Sequence, residues 1–285
     1  MGEWTVAIEI KNPAAWIQGA FVVLLAAIAW LRPLGRKRQL NATVLAAITI
    51  AAIVLAQFFR RLSPSAASVL QDWLPVPLLL FPYWQVGQFF TGADPLTEKR
   101  LANFDRALFR ALGVAPAQTS IGHASATYLE FVYLMVYPLI PLGVATLYIL
   151  SSRQFVNYYW IVVLLSTYIS LAITPFVRAM PPRVVESYDK FRMPPSKLGA
   201  VNRFILRRGG IQAITFPSAH VASAIAASLV LLRVAPWAGL IFLLISISIA
   251  IATVLGGYHY AADVLLALLV AIVVFAATFP TLKAE

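Results

Sequence analysis

The stretch "FPSAHVASAIAASLVLLRVAPWAGLIFLLISISIAIATVLGGYHYAADVL" occupies residues 216–265 and contains two apolar runs joined by a short connector. The runs cover residues 218–232 and 236–255, and their lengths approach or reach what a helix needs to cross a bilayer. Because residues 233–236 allow only a tight turn, the two helices are predicted to be antiparallel neighbours in a bundle. One helix leads away from the first histidine and the next returns to the second, so both histidines are expected on one side of a membrane.

The rest of the sequence has the same apolar character. Of its 285 residues 61% are hydrophobic and 12% are charged, whereas a soluble domain carries roughly a quarter charged residues. Besides the two runs above, long uncharged or nearly uncharged segments cover residues 14–31, 43–59, 126–150, 155–177 and 260–279. An eighth, residues 73–90, is interrupted by three prolines and is expected either to span or to enter and return. The sequence therefore predicts an all-α polytopic membrane bundle of seven or eight hydrophobic segments, which excludes a soluble protein.

The net charge of +11 is concentrated, with eight of the 22 basic residues between positions 178 and 208. Only Glu186 and Asp189 oppose them in this loop. Two interpretations stay open: a cytoplasmic loop that follows the positive-inside rule, or an electropositive vestibule for an anionic substrate or lipid headgroup. A second polar stretch, residues 91–125, has apolar residues at three- and four-residue spacing, which indicates either an interfacial amphipathic helix or a packed surface helix.

His220 stands at the predicted start of a helix. Pro217 lacks a backbone donor and Ser218 is a favoured N-cap, so the helix is expected to begin at Ser218. Unpaired N–H groups and the positive end of the helix dipole make such a start an anion site, and this one would face the basic loop.

His259 and Asp263 are four residues apart, so they are predicted to share one face of a helix and to form a hydrogen bond. A carboxylate on one ring nitrogen fixes the tautomer and makes the other nitrogen more basic. That arrangement turns an imidazole into a nucleophile or a base. Gly256 and Gly257 are predicted to form the turn before this helix.

These residues carry a family resemblance. "PSAH" at residues 217–220 resembles the P-S-G-H motif of the type 2 phosphatidic acid phosphatase superfamily, and "HYAAD" at residues 259–263 resembles its H-x-x-x-D motif. The resemblance covers roughly residues 72–279 and implies a six-helix core. It also implies that His259 attacks phosphorus, that Asp263 orients His259, and that His220 protonates the leaving group. Ser218 would bind phosphate oxygens.

Two departures from the family pattern concern its basic residues. The family's Lys-x6-Arg-Pro motif is absent, and "PFVRAMPPR" supplies Arg178 and Arg183 in its place. The family's Ser-Arg pair before the second histidine is replaced by Ala252 and Thr253. Arg183 and Arg178 are therefore the candidate phosphate-binding residues.

The "PPR" string, Thr253 and "DWLPVPLLLFPYWQVGQFF" are similar to the inositol phosphorylceramide synthase-like branch of this superfamily. The resemblance implies two regions: N-terminal transmembrane helices in residues 1–68 and a catalytic membrane domain in residues 69–285. It implies transfer of a phosphoalcohol headgroup from a phospholipid to a lipid alcohol, without cofactor or metal.

Other functions remain as alternatives. The protein could be a simple phosphatase for phosphatidic acid or polyprenyl pyrophosphate, a transporter, or a non-catalytic scaffold. The absence of cysteine excludes disulfides and thiolate metal sites. The expected partners are a phospholipid or lipid phosphate, a lipid alcohol acceptor and the bilayer, with no nucleic acid. A multi-pass protein of the cell membrane is expected, and the side of the active site depends on whether residues 73–90 cross.

Overall fold

The computed structural model describes residues 4–6, 12–185, 187–279 and 282–284, so Glu186 of the basic loop lies outside the described residues. Within these ranges the chain is all-α apart from one two-stranded ribbon. The helices are α1 Pro13–Leu31, α2 Arg36–Phe59, α3 Pro64–Trp73, α4 Pro75–Leu78, α5 Leu80–Gly87, α6 Pro95–Ala111, α7 His123–Leu134, α8 Val136–Ile149, α9 Val156–Ile173, α10 Lys197–Gly209, α11 Ala219–Val234, α12 Pro236–Leu255 and α13 Ala261–Thr278. Short 3₁₀ turns cover Pro116–Gln118, Arg153–Phe155, Thr174–Phe176 and Pro182–Val184.

Five of the described helices are long and apolar enough to cross a membrane: α1, α2, α9 with its flanking turns, α12 and α13. The helices α7 and α8 form a sixth, broken span that bends by 56°. The break has a local cause, because Pro138 has no N–H for the carbonyl of Leu134 and its ring clashes with that carbonyl. Helix α11 is a shorter apolar helix of 16 residues. The prediction of an all-α polytopic bundle is confirmed.

Helix α11 lies at the centre of the bundle, against α9, α12 and α13. It presents small buried side chains, among them Ala222, Ala226 and Ala227, which let neighbouring backbones approach closely. At the α11–α12 turn the backbones nearly touch, since a Cβ on Gly239 would lie 2.0 Å from the Leu232 nitrogen. The helix that carries His220 is therefore held from several sides.

Residues 73–90 connect the two ends of the bundle. The carbonyl of Asp72 accepts a hydrogen bond from Trp160 Nε1 over 2.8 Å, near the start of α9, and its carboxylate pairs with Arg153 over 2.7 Å. At the other end the Asp94 N–H donates to the carbonyl of Arg178 over 2.8 Å, beyond the end of α9. The 18 residues of α9 rise about 27 Å, so this segment crosses the full thickness of the bundle as α4 and α5.

The described chain thus passes eight times between the two ends of the bundle. The passes are α1, α2, α3 to α5, α7 with α8, α9, α11, α12 and α13. The basic end carries residues 32–35, helix α6, residues 174–218 with α10, and the α12–α13 turn. The opposite end carries the α2–α3, α8–α9 and α11–α12 connections. Strand β1 Trp4–Val6 precedes α1, and strand β2 Leu282–Ala284 follows α13. The two strands pair antiparallel, with Thr5 opposite Lys283. The division of the chain at residue 69 stays a prediction.

Candidate active site

The α12–α13 turn places His259. Gly257 has φ +66°, a left-handed conformation that favours glycine, and a Cβ there would lie 3.1 Å from the Arg183 backbone nitrogen. The carbonyl of Thr253 accepts hydrogen bonds from the N–H groups of Tyr258 and His259 over 2.8 and 3.0 Å. The turn therefore ends α12 and directs the His259 side chain inward.

One expectation about this turn is wrong. His259 does not lie on the face of a helix, because α13 begins only at Ala261. The Asp263 carboxylate accepts the N–H of Tyr260 over 3.2 Å, which caps the first turn of α13 and leaves His259 just before it.

The predicted contact between His259 and Asp263 is nevertheless present. His259 Nδ1 lies 3.0 Å from Asp263 Oδ2, and both side chains are buried. Since Oδ2 already accepts from the Tyr260 N–H, we assign Nδ1 as the donor, which leaves the Nε2 lone pair unshared. Burial, and then the positive charge of Arg183, lower the pKa of His259, so the imidazole is neutral at neutral pH. A neutral ring with a free Nε2 is the form that can act as a nucleophile.

Helix α11 begins as predicted. Ser218 is its N-cap and accepts the N–H of Val221 over 3.4 Å, while the Thr215 hydroxyl accepts the N–H of Ala219 over 3.2 Å. Ser218 is fully buried, and its own N–H donates to the carbonyl of Asp263. The geometry gives Ser218 a capping role at this helix start.

The two histidine rings are neighbours in an edge-to-face arrangement. Their centroids are 6.4 Å apart, with the planes at 66°. Tyr83 and Tyr137 flank the His220 ring, with centroids at 6.4 and 6.3 Å. His220 Nδ1 is buried and has no hydrogen-bond partner in the described part of the chain.

Arg183 lies beside His259. Its backbone N–H donates to the carbonyl of Gly257 over 2.9 Å, and its guanidinium carbon lies 4.5 Å from the centroid of the Tyr258 ring. Tyr258 in turn stacks on Tyr133 with centroids 3.7 Å apart, and its hydroxyl donates to Glu130 over 2.7 Å. The Nη1 atom of Arg183 is buried without a hydrogen-bond partner among the described residues. This cation is preorganised for an anion that reaches His259.

The other candidate arginine is placed differently. Arg178 is exposed, and the side chains of the two histidines do not share a cavity with it. The Thr97 hydroxyl chiefly, and the charge of Arg178 in part, lower the pKa of the Asp94 carboxyl. Arg178 therefore lies near α6 and not with Arg183.

A small inner cavity of about 50 Å³ joins these groups, lined among others by His220, His259, Arg183, Tyr83, Tyr133 and Tyr258. An apolar cleft of about 380 Å³ reaches the His220 side of this cavity. Its walls come from α4, α5 and α8, its floor from α9 and α11, and the end of α10 closes it towards the basic end. Leu80 and Tyr137 in its lining are exposed, so the cleft is accessible from outside the bundle.

A basic pocket of about 470 Å³ lies on the Arg183 side of the inner cavity. Its charged lining residues are Glu130, Arg183, Lys190, Arg203 and Arg207. The inner cavity shares Tyr83, Leu206 and His220 with the apolar cleft, and it shares Arg183, Leu206 and Tyr258 with the basic pocket. The histidine pair therefore lies between an apolar and a cationic compartment.

Sequence reasoning missed the role of Asp105 in this site. Asp105 on α6 accepts the N–H of Ala261 over 3.0 Å and the hydroxyl of Tyr188, and so holds the first turn of α13. The buried face of α6, which includes Leu101 and Phe109, packs on the bundle, while its Phe104 is exposed. A lone acidic residue on the apolar side of an amphipathic helix was the available signal for Asp105.

In the part of the chain that the structure describes, no group of three or more His, Cys, Asp or Glu side chains is arranged to hold a metal ion. His123 is exposed at the start of α7 and lines none of the three compartments.

Comparison with known proteins identifies the family. A family model described as PAP2 superfamily matches residues 99–277, which is more than half of the chain and includes both histidines and Asp263. No curated protein and no solved structure matches the chain. Members of this superfamily are membrane enzymes of the phosphatase type that act on lipid phosphates. The match, together with the multi-pass helical bundle, shows that this chain belongs to the type 2 phosphatidic acid phosphatase (PAP2) superfamily.

Proposed function

We propose that this protein transfers a phosphoalcohol headgroup from a phospholipid to a lipid alcohol through a phosphohistidine at His259. The observation that carries the proposal is the position of the histidine pair between two unlike compartments. The apolar cleft reaches His220 and the basic pocket reaches Arg183, next to His259. A phosphodiester with a lipid on one side and a polar headgroup on the other fits this division.

In the first step Nε2 of His259 attacks phosphorus and the bond from phosphorus to the lipid oxygen breaks. His220, at the inner end of the apolar cleft, donates a proton to that oxygen, and the lipid alcohol leaves into the cleft. Asp263 holds the His259 tautomer and stabilises the charged ring that forms. Arg183 binds the phosphoryl oxygens as their charge develops.

In the second step a lipid hydroxyl enters by the same cleft. His220, now neutral, takes its proton, the new oxygen–phosphorus bond forms and the bond from phosphorus to His259 breaks. Water competes for the same intermediate at about 55 molar in bulk, and orientation of the acceptor is worth roughly 7–11 kcal/mol. The small volume of the inner cavity and the cover given by α10 favour the positioned lipid over water.

The missing family arginine supports transfer over simple hydrolysis. Thr253 stands at its position and is buried, with its hydroxyl bonded to the carbonyl of Ala250 over 2.7 Å. Arg183, which follows Pro181 and Pro182, supplies the cation from the loop instead. The phosphate group is thus contacted from the side of the basic pocket.

We also propose that the basic end of the bundle faces the cytoplasm of a cell membrane. Even without the loop of residues 178–208, the described basic end carries eight basic residues: Arg32, Arg36, Lys37, Arg38, Lys99, Arg100, Arg106 and Arg110. The described opposite end carries five: Arg60, Arg61, Arg153, Arg233 and Lys283. The positive-inside rule favours the richer side as cytoplasmic.

The test supplies the purified protein with a labelled phospholipid panel, with and without diacylglycerol or ceramide, and follows products by mass. Headgroup transfer that requires His259 is the expected result. If free phosphate or phosphoalcohol dominates at saturating acceptor, the protein is a lipid phosphatase.

A further inference from the structure

The basic pocket holds more positive charge than one phosphodiester needs. Lys190, Arg203 and Arg207 line it beside Arg183, and Glu130 is the acidic residue in its lining. The Glu130 carboxylate is already engaged, since it accepts hydrogen bonds from Asn202 Nδ2 over 2.6 Å and from the Tyr258 hydroxyl over 2.7 Å. Among the described residues, no carboxylate lies within 4.0 Å of a nitrogen of any of the four cations.

The position of these cations relative to the phosphorus site is defined by shared residues. Arg183, Leu206 and Tyr258 line both the inner cavity and the basic pocket. Lys190, Arg203 and Arg207 line the basic pocket and do not line the inner cavity that holds the histidines. A group bound by these three residues therefore lies in the basic pocket, next to the inner cavity and outside it.

The lining is suited to a polar ring or chain that carries charge. Tyr188, Phe191 and Met193 supply apolar and aromatic surface beside the cations. The volume of about 470 Å³ falls within the roughly 300–1,000 Å³ typical of small-molecule sites. Clustered arginine and lysine side chains are the groups that bind phosphate through charge-assisted hydrogen bonds.

We infer that the transferred headgroup carries a second phosphate, which Lys190, Arg203 and Arg207 bind in the basic pocket. The inference rests on the proposed function, because the transfer mechanism places the headgroup on this side of His259. Arg183 then binds the reacting phosphodiester, and the other three cations select donors by the charge of the headgroup. A neutral headgroup leaves these cations without a counter-charge.

The kinetic test compares two donors with the same acyl chains, phosphatidylinositol and phosphatidylinositol 4-phosphate, in nanodiscs with diacylglycerol as acceptor. Products are followed by mass, so that loss of the 4-phosphate is read separately from transfer. Wild-type protein should prefer the phosphorylated donor by about tenfold or more in kcat/KM, as a set of charge-assisted hydrogen bonds allows. Equal use of both donors overturns the inference.

Variants assign the preference to the pocket. Lys190→Gln with Arg207→Gln should reduce the preference to about twofold or less, because kcat/KM for the phosphorylated donor falls more than kcat/KM for phosphatidylinositol when the cations that bind the second phosphate are removed. Lys190→Gln alone should give an intermediate ratio. Arg208→Gln is the matched control, since Arg208 also lies on α10, is exposed, and does not line the pocket. A preference that survives the double substitution contradicts the assignment.

A binding measurement separates this inference from the proposed function. Inositol 1,4-bisphosphate, inositol 1-phosphate and inorganic phosphate are titrated into the His259→Ala protein by calorimetry. The bisphosphate should bind about tenfold more tightly than the other two, and the double variant should lose that advantage. Such binding without any transfer by the wild type would retain the site and refute the transferase. Transfer without preferential binding of the bisphosphate would retain the transferase and refute the site for a second phosphate. Equal binding of inorganic phosphate and the bisphosphate would also refute it, because the pocket would then be a site for free phosphate.

Discussion

The backbone N–H of Ser218 donates a hydrogen bond to the carbonyl oxygen of Asp263 over 3.2 Å. This bond joins the first turn of α11, which carries His220, to the first turn of α13, which follows His259. The separation of the two rings therefore depends on a backbone contact between helix starts, and not on flexible side chains. Preorganisation of this kind lets two groups act on one phosphorus atom without reorganisation during the reaction.

Replacement of His259 by alanine should reduce turnover at least about 1,000-fold, because the attacking atom is lost. Asp263→Asn should reduce kcat by about 100- to 10,000-fold, since the imidazole remains but its tautomer is no longer fixed. Initial rates measured by product mass give both values, and thermal unfolding verifies that each variant is folded. A folded His259→Ala protein with wild-type rates would exclude the mechanism.

Chelation by EDTA should leave turnover unchanged, because Arg183 supplies the charge stabilisation without a metal ion. The measurement compares initial rates before and after dialysis against EDTA. Loss of activity that one particular divalent ion restores would instead indicate a metal site at His220, His259 and Asp263.

Substitution of the two arginines of "PFVRAMPPR", Arg178 and Arg183, should have very different effects on kcat. Arg183→Lys keeps a positive charge but loses the planar stack on Tyr258 and part of the donor set, so kcat should fall about 100- to 1,000-fold. Arg178→Gln should change kcat by less than about twofold, because its exposed side chain lies outside the inner cavity. Equal losses in the two variants would contradict the site geometry.

Asp105 is expected to act as a positioning residue through the first turn of α13. Asp105→Ala removes the acceptor for the Ala261 N–H and for the Tyr188 hydroxyl, which should destabilise the protein by about 0.5–2 kcal/mol. It should lower kcat more than it raises KM, because the nucleophile is misplaced while both binding compartments remain. Asp105→Asn, whose amide oxygen can still accept from Ala261, should recover part of kcat. A role in stability alone predicts a lower melting temperature with an unchanged kcat.

The orientation of the bundle can be tested cleanly because the sequence contains no cysteine. Ala107→Cys on α6 and Gln154→Cys in the α8–α9 connection place single exposed thiols at the basic and opposite ends. With a membrane-impermeant maleimide on intact cells, position 154 should be labelled and position 107 should require permeabilisation. The reverse pattern would place the active site outside the cytoplasm.

Local patterns in the sequence predicted the parts of the site that depend on short separations. The four-residue spacing of His259 and Asp263 predicted their hydrogen bond, and the short α11–α12 turn predicted that both histidines lie at one end. The start of α13 at Ala261 was missed. The Asp263 carboxylate accepts the N–H of Tyr260, and this capping bond ends the helix before it reaches His259.

Other features could not be predicted because they join distant parts of the chain. The Tyr258 hydroxyl meets Glu130 across 128 positions, and the Ala261 N–H meets Asp105 across 156. Neither residue pair has a spacing that signals contact. The choice between Arg178 and Arg183 likewise depends on a distant contact, because the carbonyl of Gly257 accepts the backbone N–H of Arg183 and so places this arginine beside His259. The crossing of residues 73–90 became visible only through the contacts of Asp72 and Asp94 with opposite ends of α9.

The lining of the apolar cleft comes partly from inside and partly from outside the region that matches the family. Val76, Leu79, Leu80, Tyr83 and Trp84 form one wall, and all five precede residue 99, where the match to the family begins. The reacting side chains all lie within the match. A change in α4 or α5 would therefore alter the lining of the cleft and leave His220, His259 and Asp263 in place. Exchange of residues 73–90 between members of the superfamily is accordingly a way to reshape the apolar cleft of an engineered protein without substitution of a reacting side chain.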